Sequence, residues 1–294
     1  MAEDKNKSAK KQSSNKKEIS FLIPLNLFII LCILIVGINI LKEIKKVPPT
    51  PPIPLPPEIK KIEKPKEKLP CRISIIIDDI GWNLDVIKEV EDIKQPLNLS
   101  VLPFTPYGEE IIEKLKNKNF EFMLHLPLEP LPPNSCLDKG AINTKMSEEE
   151  IREKFNADIE PLYSYVKGVN NHMGSLFTSN REKMEILLEE IKERNLFFID
   201  SKTSSNSYGY SIAKKLGIPT GQRDVFLDYS PEEKFPDPEY IREQLYKLVQ
   251  QAKKKGRAIG IGHPRKNTFE VLKNELPKIE EEGVKVVFVS TLVE

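Results

Sequence analysis

From Cys71 onward the chain alternates short apolar or β-branched runs with longer stretches of helical hydrophobic period. The runs lie at 73–78, 97–102, 120–124, 166–171, 196–200, 224–228, 257–262 and 284–289. Runs of this kind predict strands, and wholly apolar ones predict strands buried on both faces. Between most of them the apolar positions recur as they do on a helix with one face against a core. Helix-end signals agree with this reading. Ser147 followed by Glu150 three residues on is a capping box. Further helices are predicted from Asn180 to Arg194, over 236–255 and over 267–282, with Gly256 and Gly283 as stops. Roughly eight βα units over residues 71–294 predict an α/β fold, a (β/α) barrel, for which about 250 residues is typical. The competitor is an open doubly wound sheet, which is disfavoured because no glycine-rich phosphate loop follows the first strand.

Upstream the pattern is different. Residues 1–18 are polar and Lys-rich, and Ile19 to Leu41 is apolar except for Ser20, Pro24, Asn26, Gly37 and Asn39. About 20 apolar residues span a bilayer as a helix. The run outlasts a usual signal-peptide core and no Ala-x-Ala-like site follows, so the expectation is an uncleaved signal anchor over 19–41 rather than a cleaved signal peptide. Lys10, Lys11, Lys16 and Lys17 precede it, against Lys42, Lys45 and Lys46 behind it. That count leans toward a cytoplasmic N-terminus and a C-terminal domain outside the cytoplasm. Residues 42–70 then form a linker whose proline block, 47–57, favours extended polyproline II, a semi-rigid spacer.

Composition narrows the partners. The chain is 30% charged and 39% hydrophobic with a formal net charge of +1. No global field points to nucleic acid. The cysteines Cys32, Cys71 and Cys136 form no CxxC unit, so a thiolate zinc site is not expected, and nothing in their spacing demands a Cys71–Cys136 disulfide.

The chemistry gathers at strand ends. Only three histidines occur, His125, His172 and His263, and each sits where a predicted strand runs out. Asp78-Asp79 ends the first strand, while Asp200 and Asp228 end two others. Imidazole is the commonest metal ligand and the usual proton carrier near neutral pH. In a βα barrel all strand C-termini open onto one face, so these groups predict a single active site there. Each has a plainer reading as well: the acidic pair as a helix cap, a lone His as a satisfied core residue, Asn170, Asn171 and Gly174 as a tight turn. Asp200 ranks above Asp228 because it follows a wholly apolar run. Glu129, four residues after His125, is within reach of the same place.

In order, these motifs resemble the divergent polysaccharide deacetylase family: Asp78-Asp79-x-Gly81, His125-Leu-Pro-Leu-Glu-Pro130, Asn170-Asn-His-Met-Gly-Ser175, Phe198-Ile-Asp-Ser201 and Gly262-His-Pro264. The resemblance covers residues 71–294. It implies a distorted (β/α) barrel of the NodB-like type and a metal-dependent hydrolase that removes acetyl groups from a cell-envelope polysaccharide. Carried over, Asp78 is the catalytic base, and Asp79 binds a divalent metal, Zn2+ in the first instance. His263 matches the late general acid, with Asp200 or Arg265 available to orient it. The wider group takes two histidine ligands from one His-x-x-x-His motif, which here reads His125-x-x-x-Glu129. Either Glu129 replaces the second imidazole or His172 supplies it. His172 is favoured because zinc prefers imidazole. The broken motif also leaves room for an inactive glycan-binding or envelope scaffold protein on the same fold. A metal-free glycosidase using Asp78 or Asp79 with Asp200 or Glu129 is a third reading.

Overall fold

The computed structural model describes residues 27–46, 71–133, 137–230 and 236–294. The polar tail, the first part of the apolar run, the proline linker and Cys136 lie outside the described residues; Cys71 carries a free thiol. The chain divides into two units, residues 1–65 and 66–294. In the first, α1 (Leu27–Ile44) is an 18-residue helix of mean hydropathy 2.5 with none of that span buried, long and apolar enough to cross a membrane. It runs three residues beyond the expected end at Leu41.

The second unit alternates β1 (Arg72–Ile80), α2 (Asp85–Glu91), β2 (Leu97–Val101), α3 (Gly108–Leu115), β3 (Phe120–Leu128), α4 (Glu148–Ile159), β4 (Val166–Met173), α5 (Arg181–Glu193), β5 (Phe197–Asp200), α6 (Gly209–Leu216), β6 (Thr220–Gln222), β7 (Val225–Phe226), α7 (Pro238–Lys255), β8 (Arg257–Gly262), α8 (Lys266–Glu281) and β9 (Lys285–Val286). The Ser147–Glu150 capping box is made in both directions, Asn180 caps α5, and Gly256 closes α7 in the left-handed conformation.

Every strand pair is parallel, in the order β6-β5-β4-β3-β2-β1-β8-β7. Residues 220–226 form a single shared stave. Its first half, β6, pairs with β5, and its second half, β7, pairs with β8. The handover lies at Arg223, whose N–H donates to Asp200 O (2.9 Å), and Asp224, whose N–H donates to Ile259 O (2.8 Å). The barrel is therefore distorted, with seven staves rather than eight regular ones. The eighth expected strand, 284–289, is cut to β9, because β9 can pair only with Arg72 and Ile73 of β1. From Ile76 onward that edge belongs to β2. The chain then turns through a short 3-10 helix, Val289–Thr291, into the lower barrel.

Alternation along the strands divides the apolar residues into two cores. Ile73, Ile75 and Ile77 of β1 face the helices with Leu97, Leu99, Phe122 and Leu124. Ile76, Met123, Phe197, Ile199, Ile259 and Ile261 fill the interior, with Val289 and Leu292 closing its lower end. Asn98 ties that plug in place by donating to Ser74 Oγ and accepting from the Val289 N–H. The strand C-termini remain open at the opposite mouth.

Candidate active site

Side-chain parity decides what reaches the mouth. On β1, Ile76 is interior, so Asp78 two residues on also points inward. Asp79 should then face the helices. It does not, because its backbone is left-handed (φ 57°) and the β1–β2 register slips between Ile77 and Ile80. A non-glycine residue in this conformation costs about 1 kcal/mol or more. The distortion brings both carboxylates to the mouth.

His125 follows interior Met123, and His172 follows interior Asn170, again by alternation. Three atoms converge there: Asp79 Oδ1, His125 Nε2 and His172 Nδ1. They are separated by 3.2 Å (His125–Asp79), 2.9 Å (His172–Asp79) and 3.1 Å (His172–His125). Ligands about 2.0–2.2 Å from a tetrahedral zinc lie roughly 3.3–3.5 Å apart, so the triangle suits one such ion. Each imidazole is turned to present a lone pair. His125 Nδ1 lies 3.0 Å from Asn170 Oδ1, and His172 Nε2 lies 2.9 Å from Asp138 Oδ2. Those acceptors engage the far nitrogen, so the converging one is the nitrogen available to a cation once its own proton is displaced, the usual arrangement for a metal-binding histidine. Asp79 Oδ1 is buried and accepts no hydrogen bond. Three electron-pair donors facing one another repel unless a positive charge lies between them. The titration of the groups agrees. Burial acts to lower His125, but the carboxylates of Asp78 and Asp79 outweigh it and lift it to about 9. Burial would raise the Asp79 carboxyl, yet His125 and His172 hold it well below the usual carboxylate range. The pocket stabilises positive charge, and these residues fit a divalent cation.

Beside this triad, Asp78 is buried, and burial pushes its carboxyl up against the opposing pull of His125 and His263. Its Oδ1 accepts from Asn170 Nδ2 (2.8 Å), and its Oδ2 lies 3.6 Å from His125 Nε2. Asn170 is the hub, since its Oδ1 also accepts from Ser100 Oγ at 2.5 Å.

His263 extends the interior face of β8. Its Nδ1 lies 2.8 Å from Asp228 Oδ1, so Nε2 faces the mouth, 3.9 Å from Asp79 Oδ2. Asp228 is itself fixed by the His263 N–H (2.7 Å) and Thr268 Oγ1 (2.6 Å). Burial acts to lower His263, but Asp228 overrides it, so the net shift is upward. The opening, about 470 Å3, is also lined by Met173, Arg223 and Tyr229.

Two expectations are corrected. Asp200 does not orient His263. Phe197 and Ile199 are interior on β5, so Asp200 faces the helices, where its Oδ2 accepts from Ser207 Oγ (2.7 Å) and the Tyr210 N–H (3.0 Å) at the start of α6. Arg265 does not orient it either, but donates to Asp228 O. Asp228, the residue ranked lower, takes that role. Glu129 stays outside the triad, since its Oε2 accepts from the N–H (2.7 Å) and Oγ1 (2.6 Å) of Thr144. With Asp200 and Glu129 both engaged elsewhere, the glycosidase reading loses its second carboxylate. Asp138 and Arg223 were not anticipated. Asp138 lies in an aperiodic loop 34 residues before the histidine it meets, with no local signal. Arg223 marks the strand handover, donating to Ser201 O and Lys202 O.

The chain is 31% identical over 211 residues to an uncharacterized protein of Haemophilus influenzae (strain ATCC 51907 / DSM 11121 / KW20 / Rd), covering 72% of this chain and 73% of that one. It is 33% identical over 204 residues to the uncharacterized protein YibQ of Escherichia coli (strain K12), covering 69% of this chain and 62% of that relative, which is thus spanned over less than two thirds of its length. Among solved structures, the uncharacterized protein ATU2773 from Agrobacterium tumefaciens C58 superposes with a TM-score of 0.69 at 21% identity, over 76% of this chain and 89% of that one, a likeness of fold. Residues 75–293 match the family model for the divergent polysaccharide deacetylases, and the chain belongs to that family.

Proposed function

We propose that the barrel is a metal-dependent hydrolase that removes acetyl groups from a cell-envelope polysaccharide. The observation that carries this reading is the juxtaposition at one mouth of a three-donor cation site, a buried carboxylate and a histidine held by an aspartate. Asp79, His125 and His172 would hold the ion, and two imidazoles with one carboxylate suit zinc. When bound, a divalent cation supplies Lewis-acid polarisation of the acetyl carbonyl and makes water more acidic.

The chain's own groups do the proton work. Asp78 accepts the proton of the attacking water through Oδ2, while Asn170 holds Oδ1 and fixes the carboxylate plane. As the water oxygen bonds to the acetyl carbon, the bond from that carbon to the sugar nitrogen or oxygen breaks. His263 gives its Nε2 proton to the departing sugar atom, and acetate leaves. Asp228 keeps that imidazole oriented and favours its protonated form. Arg223 and Tyr229 line the remaining wall.

α1 serves in this reading as an uncleaved anchor that holds the domain on the outer side of the membrane, where cell-envelope glycans lie. Metal analysis of the purified full chain tests the centre. His125→Ala and Asp79→Asn should each lose stoichiometric zinc while the fold survives; Asn is chosen because it tolerates positive φ. Zinc retained in both would sink the assignment. His263→Ala should keep metal and lose turnover on acetylated glycans. Bound metal with no acetate released from any glycan in a broad panel would instead favour a non-catalytic glycan-binding protein.

A further inference from the structure

A second hollow, about 460 Å3, opens on the β1–β8 side of the mouth. Asp79 and His263 line both hollows, so the reacting centre stands on the ridge between them. The new hollow is lined by Trp82, Asn83, Glu89 and Lys266, among others. Trp82 is the only tryptophan in the chain and is 60% exposed.

The loop that carries it is held firmly. Ile80 O accepts from the Leu102 N–H and Gly81 O from the Tyr107 N–H, both at 3.0 Å. Gly81 has φ +132°, and a Cβ there would fall 2.0 Å from Thr105 Oγ1, so only glycine fits against that neighbour. On the other side, Asn83 Oδ1 accepts from the Asp85 N–H (2.8 Å) at the start of α2. A large aromatic left in water on a pinned loop is a preorganised face, since binding need not order the backbone that carries it. Indole presents a flat apolar surface with a polar edge. Carboxylate and ammonium groups beside it can meet hydroxyls. An aromatic plane ringed by hydrogen-bonding groups suits the C–H face of a pyranose ring.

We propose that the Trp82 hollow is a sugar subsite that takes the chain neighbour of the reacting residue and sets the preference for longer glycans. The reacting sugar occupies the Tyr229 side of the ridge, and its chain neighbour stacks on Trp82. This rests on the deacetylase reading, and the test separates the two. The full chain in detergent is titrated with N-acetylglucosamine oligomers of one to six units and with acetylated xylo-oligosaccharides, following the fluorescence of the single tryptophan. Quenching or a blue shift that grows with chain length and is absent for the monosaccharide is expected, also in His125→Ala, where turnover is abolished. In a parallel assay of acetate release, Trp82→Ala should cut the ratio of kcat/KM for the longest oligomer to that for the monosaccharide at least tenfold, with partial rescue by Trp82→Phe. Acetate release with a chain-length preference unaltered in Trp82→Ala overturns the subsite and leaves the deacetylase standing. Length-dependent quenching without acetate release keeps the subsite and removes the activity. No fluorescence response to any oligomer overturns the subsite.

Discussion

At the residue scale, the mouth is not the only place where burial and charge compete. Asp158 of α4 is fully buried, and neither carboxylate oxygen has a hydrogen-bond partner among the described residues. Lys154 Nζ is 3.7 Å away, and burial nevertheless lifts the carboxyl to about 7. The folded chain therefore binds this proton more tightly than the unfolded chain does. Stability is greatest below the ordinary carboxylate pKa of about 4 and falls as pH rises toward about 7. Asp158→Asn keeps the shape and removes the charge. Denaturant unfolding at pH 8 should show a gain on the order of 2–4 kcal/mol over the parent chain, and little gain at pH 4. An equal change at both pH values would show that packing, not ionisation, sets the cost. The same physics makes Asp79 informative. Its place beside Asp78 at a strand end is plain in the sequence, but strand alternation alone would turn it away from the mouth, and the left-handed backbone angle that brings it in has no local signal.

At the element scale, the histidines were legible because strand C-termini share one face of a βα barrel, whatever the exact stave count. The order of Asp200 and Asp228 was not, because Asp200 follows Phe197, Phe198 and Ile199. A stretch that is apolar on both faces carries no alternation from which to read which way the next residue points. Asp200 took the helix side and became the anchor for the start of α6, while Asp228 took the mouth. Asp200→Asn should therefore lower stability by about 1–2 kcal/mol, the scale of a lost helix cap, with zinc stoichiometry unchanged. Thermal unfolding and metal analysis of the same preparation check it. Loss of zinc with no loss of stability would return Asp200 to the site. Capping signals fared better than parity. Ser147, Asn180 and Gly256 are local devices that act within one turn, so the sequence states them directly. The shared β6–β7 stave depends on contacts with β5 and β8 from distant parts of the chain, and no local window holds that information.

At the scale of the whole molecule, the C-terminal segment closes the barrel from below. Leu292 is 1% exposed within the interior cluster of Ile76, Met123 and Ile259. Leu292→Ala should cost about 2–4 kcal/mol in denaturant unfolding, the usual range for a buried leucine. A cost well under 1 kcal/mol would show that the plug is not part of the cooperative core. The N-terminal unit raises a separate question of membrane attachment. α1 is 18 residues of mean hydropathy 2.5. At about 1.5 Å per residue such a helix is close to the roughly 30 Å thickness of a bilayer core. A signal peptide with the same hydrophobicity would need small residues ahead of a cleavage point. Instead, Asn39 and Ile40 lead into Leu41-Lys42-Glu43-Ile44-Lys45-Lys46, a charged and bulky stretch. If α1 is the uncleaved anchor proposed, the chain should run at 33.7 kDa, sediment with membranes and leave them only with detergent. Under the proposed orientation, protease added to intact spheroplasts should digest the barrel. A soluble, shortened chain beginning after residue 46 would identify the segment as a cleaved leader. Protection from protease without prior lysis would reverse the orientation that the flanking lysines suggest.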